Sequence, residues 1–234
     1  MGTTVVTGAN RGLGLEFVKQ LVSEGETVVA LCRDPSGASE LQAVRARVDK
    51  GELPGVLSIR AGDVTDSASL EAAAKGLSRL DLLINNAGVM GERGAGLAEL
   101  DLEDFKRVMD VNVYGVIRAT RAFLPALKAA EGAKVATISS LMGSLGDNGS
   151  GGHTSYRVSK AAVNMVVRNM GYEFESDGLI CFALHPGWVQ TDMGGPSAPL
   201  GREDSIKAML ATIRAKDATA NGGFFDREGA TLPW

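Results

Sequence analysis

The chain has 234 residues, of which 44% are hydrophobic and 22% are charged, a composition that fits one globular domain over residues 1–234. A net charge of −4 offers no basic surface for nucleic acid. The longest apolar run, residues 179–184, is too short to span a bilayer. No signal peptide fits before a strand that begins near residue 3, so we expect a cytoplasmic protein. The two cysteines and two histidines form no cluster with metal-ligand spacing, and no metal site is expected.

Strand-like and helix-like segments alternate along the chain. In chain order, strands are predicted at residues 3–7, 27–32, 55–60, 80–84, 133–139, 179–184 and 223–225. Helices are predicted at residues 12–24, 39–48, 67–77, 102–127, 155–175 and 203–214, with Asp66 and Asp101 as N-caps of the third and fourth. This alternation predicts right-handed βαβ units. The expected fold is a single Rossmann-like, doubly wound α/β domain of about seven parallel strands with helices on both faces.

A glycine-rich segment follows the first predicted strand. It contains Gly8, Asn10, Arg11, Gly12, Leu13 and Gly14. Glycines let the backbone turn sharply and approach a phosphate, and the start of the next helix supplies free N–H groups. A lone glycine-rich turn is often only a turn, but its position between the first strand and the first helix favours a dinucleotide pyrophosphate site.

Residues with binding chemistry also follow the other strands. Strands one to six are followed by Gly8, Arg33, Asp63, Asn85, Ser140 and Pro186. Ligands of doubly wound sheets bind beyond the carboxyl ends of the strands. The convergence of these residues on one edge is stronger evidence for a site than any single motif.

Tyr156 and Lys160 are spaced i, i+4 at the start of a predicted helix, so their side chains lie on one face. An exposed polar pair is the alternative. Beside a phosphate cradle, however, a phenol next to an ammonium suggests hydride transfer with Tyr156 as the proton donor.

Several motifs occur together in an order typical of one family. They are Thr7 to Gly14, Asp63-Val64, Asn85-Asn86-Ala87-Gly88, Asn112, Ser139-Ser140, Tyr156-x-x-x-Lys160 and Pro186-Gly187. On these motifs the chain resembles the short-chain dehydrogenases/reductases over nearly its whole length. Residues 142–159 and 224–234 resemble the carbonyl-reductase/C-factor branch. The family's strand order, 3-2-1-4-5-6-7, would hold Cys32 and Cys181 roughly 19 Å apart and therefore unbridged.

The resemblance implies a catalytic set of Asn112, Ser140, Tyr156 and Lys160. Tyr156 would protonate a carbonyl oxygen while hydride reaches the carbon. Lys160 would hold the nicotinamide ribose, and at about 4 Å it could lower the phenol pKa by up to about three units. Ser140 would stabilise the developing negative charge.

Two of these assignments have alternatives. The spacing from Ser140 to Tyr156 is longer than in many relatives, and Thr137 stands where an Asn is often found, so Ser144 remains an alternative to Ser140. Asn112 would hold a water that relays protons to Lys160, or it is an unremarkable helix-surface residue. The two histidines are expected to be structural.

The resemblance also implies a nicotinamide cofactor. Its expected contacts beyond the glycine-rich turn are Arg33, Asp63, Val64, Asn86, Ala87, Gly88, Tyr156, Lys160, Pro186, Gly187, Val189 and Thr191. We predict NADPH rather than NADH because Arg11 and Arg33 would flank a 2′-phosphate, and because Cys32 stands where the family's NAD users carry an acid. Asp34 is interpreted as a turn residue. Solvated surface arginines are the alternative.

The sequence therefore predicts an NADPH-dependent oxidoreductase that interconverts a small-molecule ketone or aldehyde with an alcohol. One rival is an NADP-binding signalling or regulatory protein of C-factor type with little turnover. A second is a sugar-nucleotide epimerase, for whose additional substrate domain the chain is too short. Apolar residues Met90, Leu141, Met142, Trp188 and Met193 could line the substrate side or belong to the core. The two long helices, 102–127 and 155–175, could form a homodimer, or the protein is a monomer.

Overall fold

The computed structural model describes residues 2–94 and 96–234, and they form one parallel sheet. Its strands are β1 (Thr3–Thr7), β2 (Thr27–Cys32), β3 (Val56–Ala61), β4 (Leu82–Asn85), β5 (Lys134–Ile138), β6 (Ile180–His185) and β7 (Phe224–Asp226). The order across the sheet is β3-β2-β1-β4-β5-β6-β7. The predicted fold class and strand order are thus confirmed.

Helices cover both faces of this sheet. They are α1 (Gly12–Ser23), α2 (Ser39–Asp49), α3 (Ser67–Ala74), α4 (Leu102–Met109), α5 (Gly115–Lys128), α6 (Thr154–Glu173) and α7 (Arg202–Ala215). Neighbouring residues on one strand point to opposite faces: Val6 packs with α1, α2 and α7, whereas Val5 packs with α3, α5 and α6. Burial on both sides explains why the strands are apolar throughout. None of the helices in the described ranges is long and apolar enough to cross a membrane.

The predicted helix over residues 102–127 is interrupted. Between α4 and α5 the turn Asp110–Tyr114 is π-helical, a wider turn that occurs frequently at functional sites. The segments on either side of this turn are both helical, so the sequence predicts one helix where the structure has two.

Helix boundaries otherwise follow the expected capping chemistry. Asp66 accepts a hydrogen bond from the N–H of Ala68, and Asp101 accepts one from the N–H of Glu103, each at 2.9 Å. Both residues therefore act as the predicted N-caps. The third helix ends at Ala74, earlier than expected.

Cys32 and Cys181 are buried free thiols, as predicted. Cys32 lies in the core on the α1 side of the sheet and Cys181 in the core on the α6 side. The sheet itself therefore separates the two thiols. Among the residues that the structure describes, no group of His, Cys, Asp and Glu is arranged to hold a metal ion.

Candidate active site

The turn between β1 and α1 depends on glycines that the surrounding backbone leaves no room to replace. Gly8 has a φ of 64°, and a Cβ there would lie 2.9 Å from the Cα of Ala87. A Cβ on Gly14 would overlap the carbonyl oxygen of Gly8, so α1 packs directly on the turn. Arg11, the residue before α1, makes no capping hydrogen bond, and Leu13 packs against the core. The N–H groups of the first turn are thus available to a phosphate.

A buried hydroxyl joins this turn to the end of β4. The Oγ1 of Thr7 accepts hydrogen bonds from the N–H groups of Asn86 and Ala87 at 3.0 and 3.1 Å. The Nδ2 of Asn86 donates to the carbonyl oxygens of Thr7 and Gly8 at 2.9 and 3.2 Å. Because β1 and β4 are neighbours where the strand order reverses, these bonds close the cleft in which such folds bind ligands. Thr7 was given no individual role from the sequence, although a hydroxyl at the end of an otherwise apolar strand could have indicated a buried hydrogen-bonding residue.

The residues after β3 form the adjoining wall. The Oδ1 of Asp63 accepts hydrogen bonds from the N–H and hydroxyl of Thr65 at 2.9 and 2.8 Å. Val64 packs against α5, where a Cβ on Gly115 would lie 3.0 Å from its Cβ. Asp63 and Val64 therefore hold fixed positions beside the switch point, where the adenosine contacts are expected.

The end of β2 carries the residues expected to select the cofactor. Arg33 is exposed, and its side chain makes no hydrogen bond or ion pair within residues 2–94 and 96–234. The Oδ1 of Asp34 accepts hydrogen bonds from the N–H and hydroxyl of Ser36 at 3.0 and 2.5 Å, which lower the pKa of its carboxyl group. The structure thus agrees with Asp34 as a turn residue. Cys32 is buried.

The loop after β6 faces the glycine turn. It carries the expected cofactor residues Pro186, Gly187, Val189 and Thr191. A Cβ on Gly12 would lie 3.9 Å from the Cγ2 of Thr191, and the guanidinium of Arg11 lies 3.4 Å from the carboxylate of Asp192. Asn10 is exposed on the same turn. A glycine turn, an uncapped helix start and an opposing loop together fit a dinucleotide.

Tyr156 and Lys160 lie one turn apart on α6, and both are buried. The Nζ of Lys160 is 5.6 Å from the ring centroid of Tyr156 and donates to the carbonyl oxygen of Ile138 at 2.8 Å. Ile138 ends β5, so this bond holds the helix against the edge of the sheet. The structure excludes an exposed polar pair.

Burial dominates the acidities of both groups. It raises the pKa of Tyr156 to about 12, although a hydrogen bond with Ser140 opposes the rise, and it lowers the pKa of Lys160 to about 8. The expected lowering of the phenol pKa by Lys160 is therefore not found for the protein alone, because desolvation of the phenolate dominates and only Ser140 opposes it. A phenol that keeps its proton at neutral pH is suited to act as an acid.

The serine beside the phenol is Ser140. Its side chain hydrogen-bonds Tyr156, and its Oγ accepts a hydrogen bond from the N–H of Met142 at 3.1 Å. Ser144 is buried, and its Oγ accepts a hydrogen bond from the N–H of Asp147 at 3.0 Å. The geometry thus favours Ser140 and gives Ser144 a place in a turn.

Ser139 has a different partner. Its buried Oγ donates to the Oδ1 of Asn164 on α6 at 2.5 Å, which matches the expected role of a strand-end residue. Asn164 was not singled out in the sequence, because an Asn within a helix shows neither its burial nor its partner there.

Asn112 lies in the π-helical turn and is buried. Its Oδ1 accepts a hydrogen bond from the N–H of Val89 at 2.8 Å, and its Nδ2 donates to the carbonyl of Val89 and the hydroxyl of Ser159, both at 2.9 Å. Gly88 lies between Asn112 and Lys160: a Cβ there would be 3.3 Å from the Oδ1 and 3.7 Å from the Nζ. Asn112 is therefore no helix-surface residue, and its side chain holds the segment after β4 against α6.

The apolar residues expected on the substrate side remain partly accessible. They are Met90, Leu141, Met142, Trp188 and Met193. Trp188 is 57% exposed, and its Nε1 donates to the carbonyl of Gly194 at 2.8 Å. Their accessibility at the loop edge argues against a place in the core.

Both histidines have structural surroundings. His153 has a φ of 50°, and its Nδ1 accepts a hydrogen bond from the N–H of Gly94 at 3.2 Å. His185 ends β6, and its Nδ1 is buried with no partner among the described residues. Burial lowers the pKa of His185 to about 4.

Comparison with known proteins places this geometry in a family. The sequence model described as "short chain dehydrogenase" matches residues 2–199. The chain is 36% identical over 242 residues to 1-hydroxy-2-glutathionyl-2-methyl-3-butene dehydrogenase from a Rhodococcus species, covering 100% of both chains. It is 45% identical over 155 residues to C-signal from Myxococcus xanthus, covering 66% of this chain and 93% of that protein.

A solved structure shows the same relationship in three dimensions. The structure of NADPH-bound carbonyl reductase from chicken fatty liver superimposes with a TM-score of 0.90 at 36% identity, covering 100% of this chain and 99% of that one. With its buried Tyr and Lys, its glycine turn and its strand order, the chain belongs to the short-chain dehydrogenase/reductase family and is an oxidoreductase acting on CH–OH or C=O groups with a nicotinamide cofactor.

Proposed function

We propose that the protein is an NADPH-dependent reductase of ketones or aldehydes, able to run in reverse, whose catalytic residues are Asn112, Ser140, Tyr156 and Lys160. The observation that carries this proposal is the buried phenol of Tyr156, one helical turn from the buried Lys160 and next to Ser140, whose side chain lowers the phenol pKa. Two groups able to donate hydrogen bonds thus meet beside the cofactor cleft.

The chemistry follows from these positions. The cofactor supplies the hydride to the carbonyl carbon. Tyr156 donates its proton to the carbonyl oxygen as negative charge develops there, and Ser140 donates a hydrogen bond to the same oxygen. The raised pKa of Tyr156 keeps this acid protonated before each turnover.

Lys160 and Asn112 support this acid. With a pKa near 8, Lys160 is mostly charged at neutral pH, where it can hold the nicotinamide ribose and favour return of a proton to the phenolate. Asn112 lies across Gly88 from Lys160 and is proposed to order the path by which that proton arrives from water.

The preference for NADPH rests on Arg11 and Arg33. Both side chains are exposed next to the cleft, and a guanidinium binds phosphate with paired donors. Similar proteins that bind this cofactor include the NADPH-bound chicken enzyme and a carbonyl reductase from Pseudomonas aeruginosa solved with NADP.

The test is turnover by the purified protein with NADPH and a panel of aldehydes and ketones, followed by the loss of NADPH absorbance. Consumption that depends on a carbonyl compound supports the proposal. Tight NADPH binding without turnover of any member would instead favour a regulatory protein, an alternative that the similarity to C-signal keeps open.

Assembly, extent and location belong to the same proposal. We propose that residues 1–234 act as one cofactor-binding domain in the cytoplasm, as a monomer or as a homodimer through α4, α5 and α6. Exposed apolar side chains are Tyr114 in the π-helical turn between α4 and α5, and Val158, Met165 and Tyr172 on α6. Arg118 is paired with Asp110 at 2.8 Å, so it has the carboxylate partner that burial of that surface would require. Sedimentation equilibrium distinguishes one chain of 24.4 kDa from two.

A further inference from the structure

Arg157, the residue after Tyr156, closes the loop that connects β5 to α6. Its Nε donates to the carbonyl oxygens of Gly151 and Gly152, each at 3.1 Å. Its Nη1 donates to the carbonyl oxygen of Met142 at 3.3 Å, and its Nη2 donates to the hydroxyl of Ser150 at 2.9 Å. One guanidinium thus joins the beginning of the loop of residues 142–152 to its end.

The two ends of this loop are the approaches to the catalytic residues. Met142 lies two residues after Ser140, and Gly152 lies four residues before Tyr156. At the beginning of the loop, a Cβ on Gly143 would lie 2.6 Å from the carbonyl carbon of Lys160, so this part packs directly on α6. Any movement of the loop ends is therefore transmitted to the serine and the helix that carry the chemistry.

Two other contacts tie the loop to distant residues: the N–H of Gly146 donates to the carbonyl oxygen of Trp234 at 2.9 Å, and the Nδ2 of Asn164 donates to the carbonyl oxygen of Gly143 at 3.5 Å. Neither contact joins the beginning of the loop to its end.

The loop contains glycine at residues 143, 146, 149, 151 and 152, and each glycine increases the conformational entropy lost on ordering. Its internal bonds make two local turns, from the N–H of Asp147 to Ser144 and from the N–H of Gly151 to Asn148. Neither turn connects the beginning of the loop to its end.

The loop is largely exposed and is followed by a contact with the segment after β4. Leu145 on the loop is 79% exposed. His153, directly after the loop, accepts a hydrogen bond from the N–H of Gly94 in the segment after β4. The left-handed backbone of His153, with a φ of 50°, is unfavourable for a residue with a side chain and is held by this contact. The loop therefore joins two walls of the substrate side.

We propose that Arg157 is a positioning residue that holds the 142–152 loop closed, and thereby sets the relation of Ser140 to Tyr156 and the substrate range of the enzyme. The effect on substrate range rests on the reductase function proposed above. A guanidinium is suited to this task because its planar fork presents donors in several fixed directions, whereas an ammonium acts as a single point.

The test compares Arg157→Met and Arg157→Lys with the unchanged protein on straight-chain aldehydes of increasing length. For Arg157→Met we expect kcat/KM to fall by about 10- to 100-fold, the loss expected when catalytic groups shift by about 1 Å. We also expect the dependence on aldehyde length to change, while the Kd for NADPH stays the same. Arg157→Lys should recover part of the loss.

Arg168→Met is the matched control. Arg168 lies on the same helix, donates to the carbonyl oxygen of Gly222 at 3.0 Å and packs over the ring of Tyr172. The Arg168→Met substitution therefore removes a comparable guanidinium far from the loop. Its kcat/KM and length dependence should be unchanged. Equal changes in Arg168→Met and Arg157→Met would overturn the proposal, since they would reflect general loosening of α6.

Amide hydrogen exchange separates this proposal from the reductase function. Exchange in residues 142–152 should accelerate in Arg157→Met and not in Arg168→Met, whether or not any carbonyl is reduced. Unchanged exchange would overturn loop closure, whereas absence of turnover in the unchanged protein would overturn only the function. If Arg157→Met does not fold, Ser150→Ala, which removes one of the four bonds, and Arg157→Lys are judged by the same exchange measurement.

Discussion

The two sides of the active-site cleft are built by different means. On the cofactor side, Gly14 lets the backbone of α1 pack on the turn at Gly8, and the buried hydroxyl of Thr7 fastens that turn to the end of β4. On the substrate side, long side chains such as Arg157 and His153 hold glycine-rich loops by their carbonyl and N–H groups. The first side is fixed by close backbone packing and buried hydrogen bonds, and the second by side-chain bonds to these loops.

Tyr156 lies where the two sides meet, and its loss should have the largest effect. Tyr156→Phe removes the proposed proton donor and leaves the cofactor side intact, so we expect kcat to fall by about 10²- to 10⁴-fold with NADPH affinity largely unchanged. Steady-state kinetics and NADPH titration measure the two. Tyr172→Phe, an exposed tyrosine on the same helix, is the control, and a variant at position 156 that retains most of the activity would reject Tyr156 as the acid.

Adding a methyl group to one glycine on each side should distinguish the two sides directly. Gly14→Ala would place a Cβ against the carbonyl oxygen of Gly8, so we expect loss of NADPH binding and a stability cost of at least about 1–3 kcal/mol, the usual cost of overpacking. Gly149→Ala in the 142–152 loop meets no atom within 4 Å and should have little effect. Urea unfolding measures the stability of each variant, and NADPH titration measures its cofactor binding. Similar results for both variants would contradict the difference between the two sides.

The end of β6 should make stability depend on pH. Burial lowers the pKa of His185 to about 4 despite Asp226 and Asp147, whose charges raise it, while Arg227 lowers it further. Between pH 6.5 and 4 the unfolded chain binds the proton more readily. The free energy of unfolding should therefore decrease as the pH is lowered from 6.5 to 4, by up to about 3 kcal/mol.

His185→Asn removes this contribution. Unfolding measured across that pH range should fall less steeply in the variant, because other titrating groups remain. Parallel curves for the variant and the unchanged protein would show that His185 is not responsible.

The smallest expected effect is on cofactor choice. Arg33→Asp would place a carboxylate where a 2′-phosphate is proposed to bind, and we expect the ratio of kcat/KM for NADPH over NADH to fall by about tenfold or more, the value of one charge-assisted hydrogen bond. Lys50→Asp makes the same charge change at an exposed position at the end of α2. A ratio that changes equally in both variants would point to net charge rather than to a specific contact.

The contrast between the two sides also explains what could be predicted from the sequence. Gly8, Gly14 and the Tyr156/Lys160 spacing were recognisable because steric exclusion and helical geometry restrict each to particular residues. The strand order followed from family resemblance, and the alternation of elements from apolar periodicity.

Other features depend on contacts between distant parts of the chain. The π-helical turn at Asn112 lies between two helical segments and was predicted as part of one helix, and the partner of Asn164 is set by packing of α6 on the end of β5. In the sequence, Arg157 is one charged residue among others in a predicted helix, and its bonds to the loop appear only in the structure. The acidity of Tyr156 was misjudged because burial of the phenol cannot be read from spacing, and desolvation is the larger contribution.

The bond between Thr7 and Asn86 has a consequence for how the chain reaches its native state. It connects residues 79 positions apart, and a contact of such long range forms only after the entropy of closing a large chain loop has been overcome. The cofactor cleft therefore forms late in folding, after the local helices and turns. A ligand that binds only the completed cleft stabilises the fold by mass action, by about 2.7 kcal/mol at one hundred times its Kd. Binding of the nicotinamide cofactor would then contribute to the stability of the fold as well as to activity.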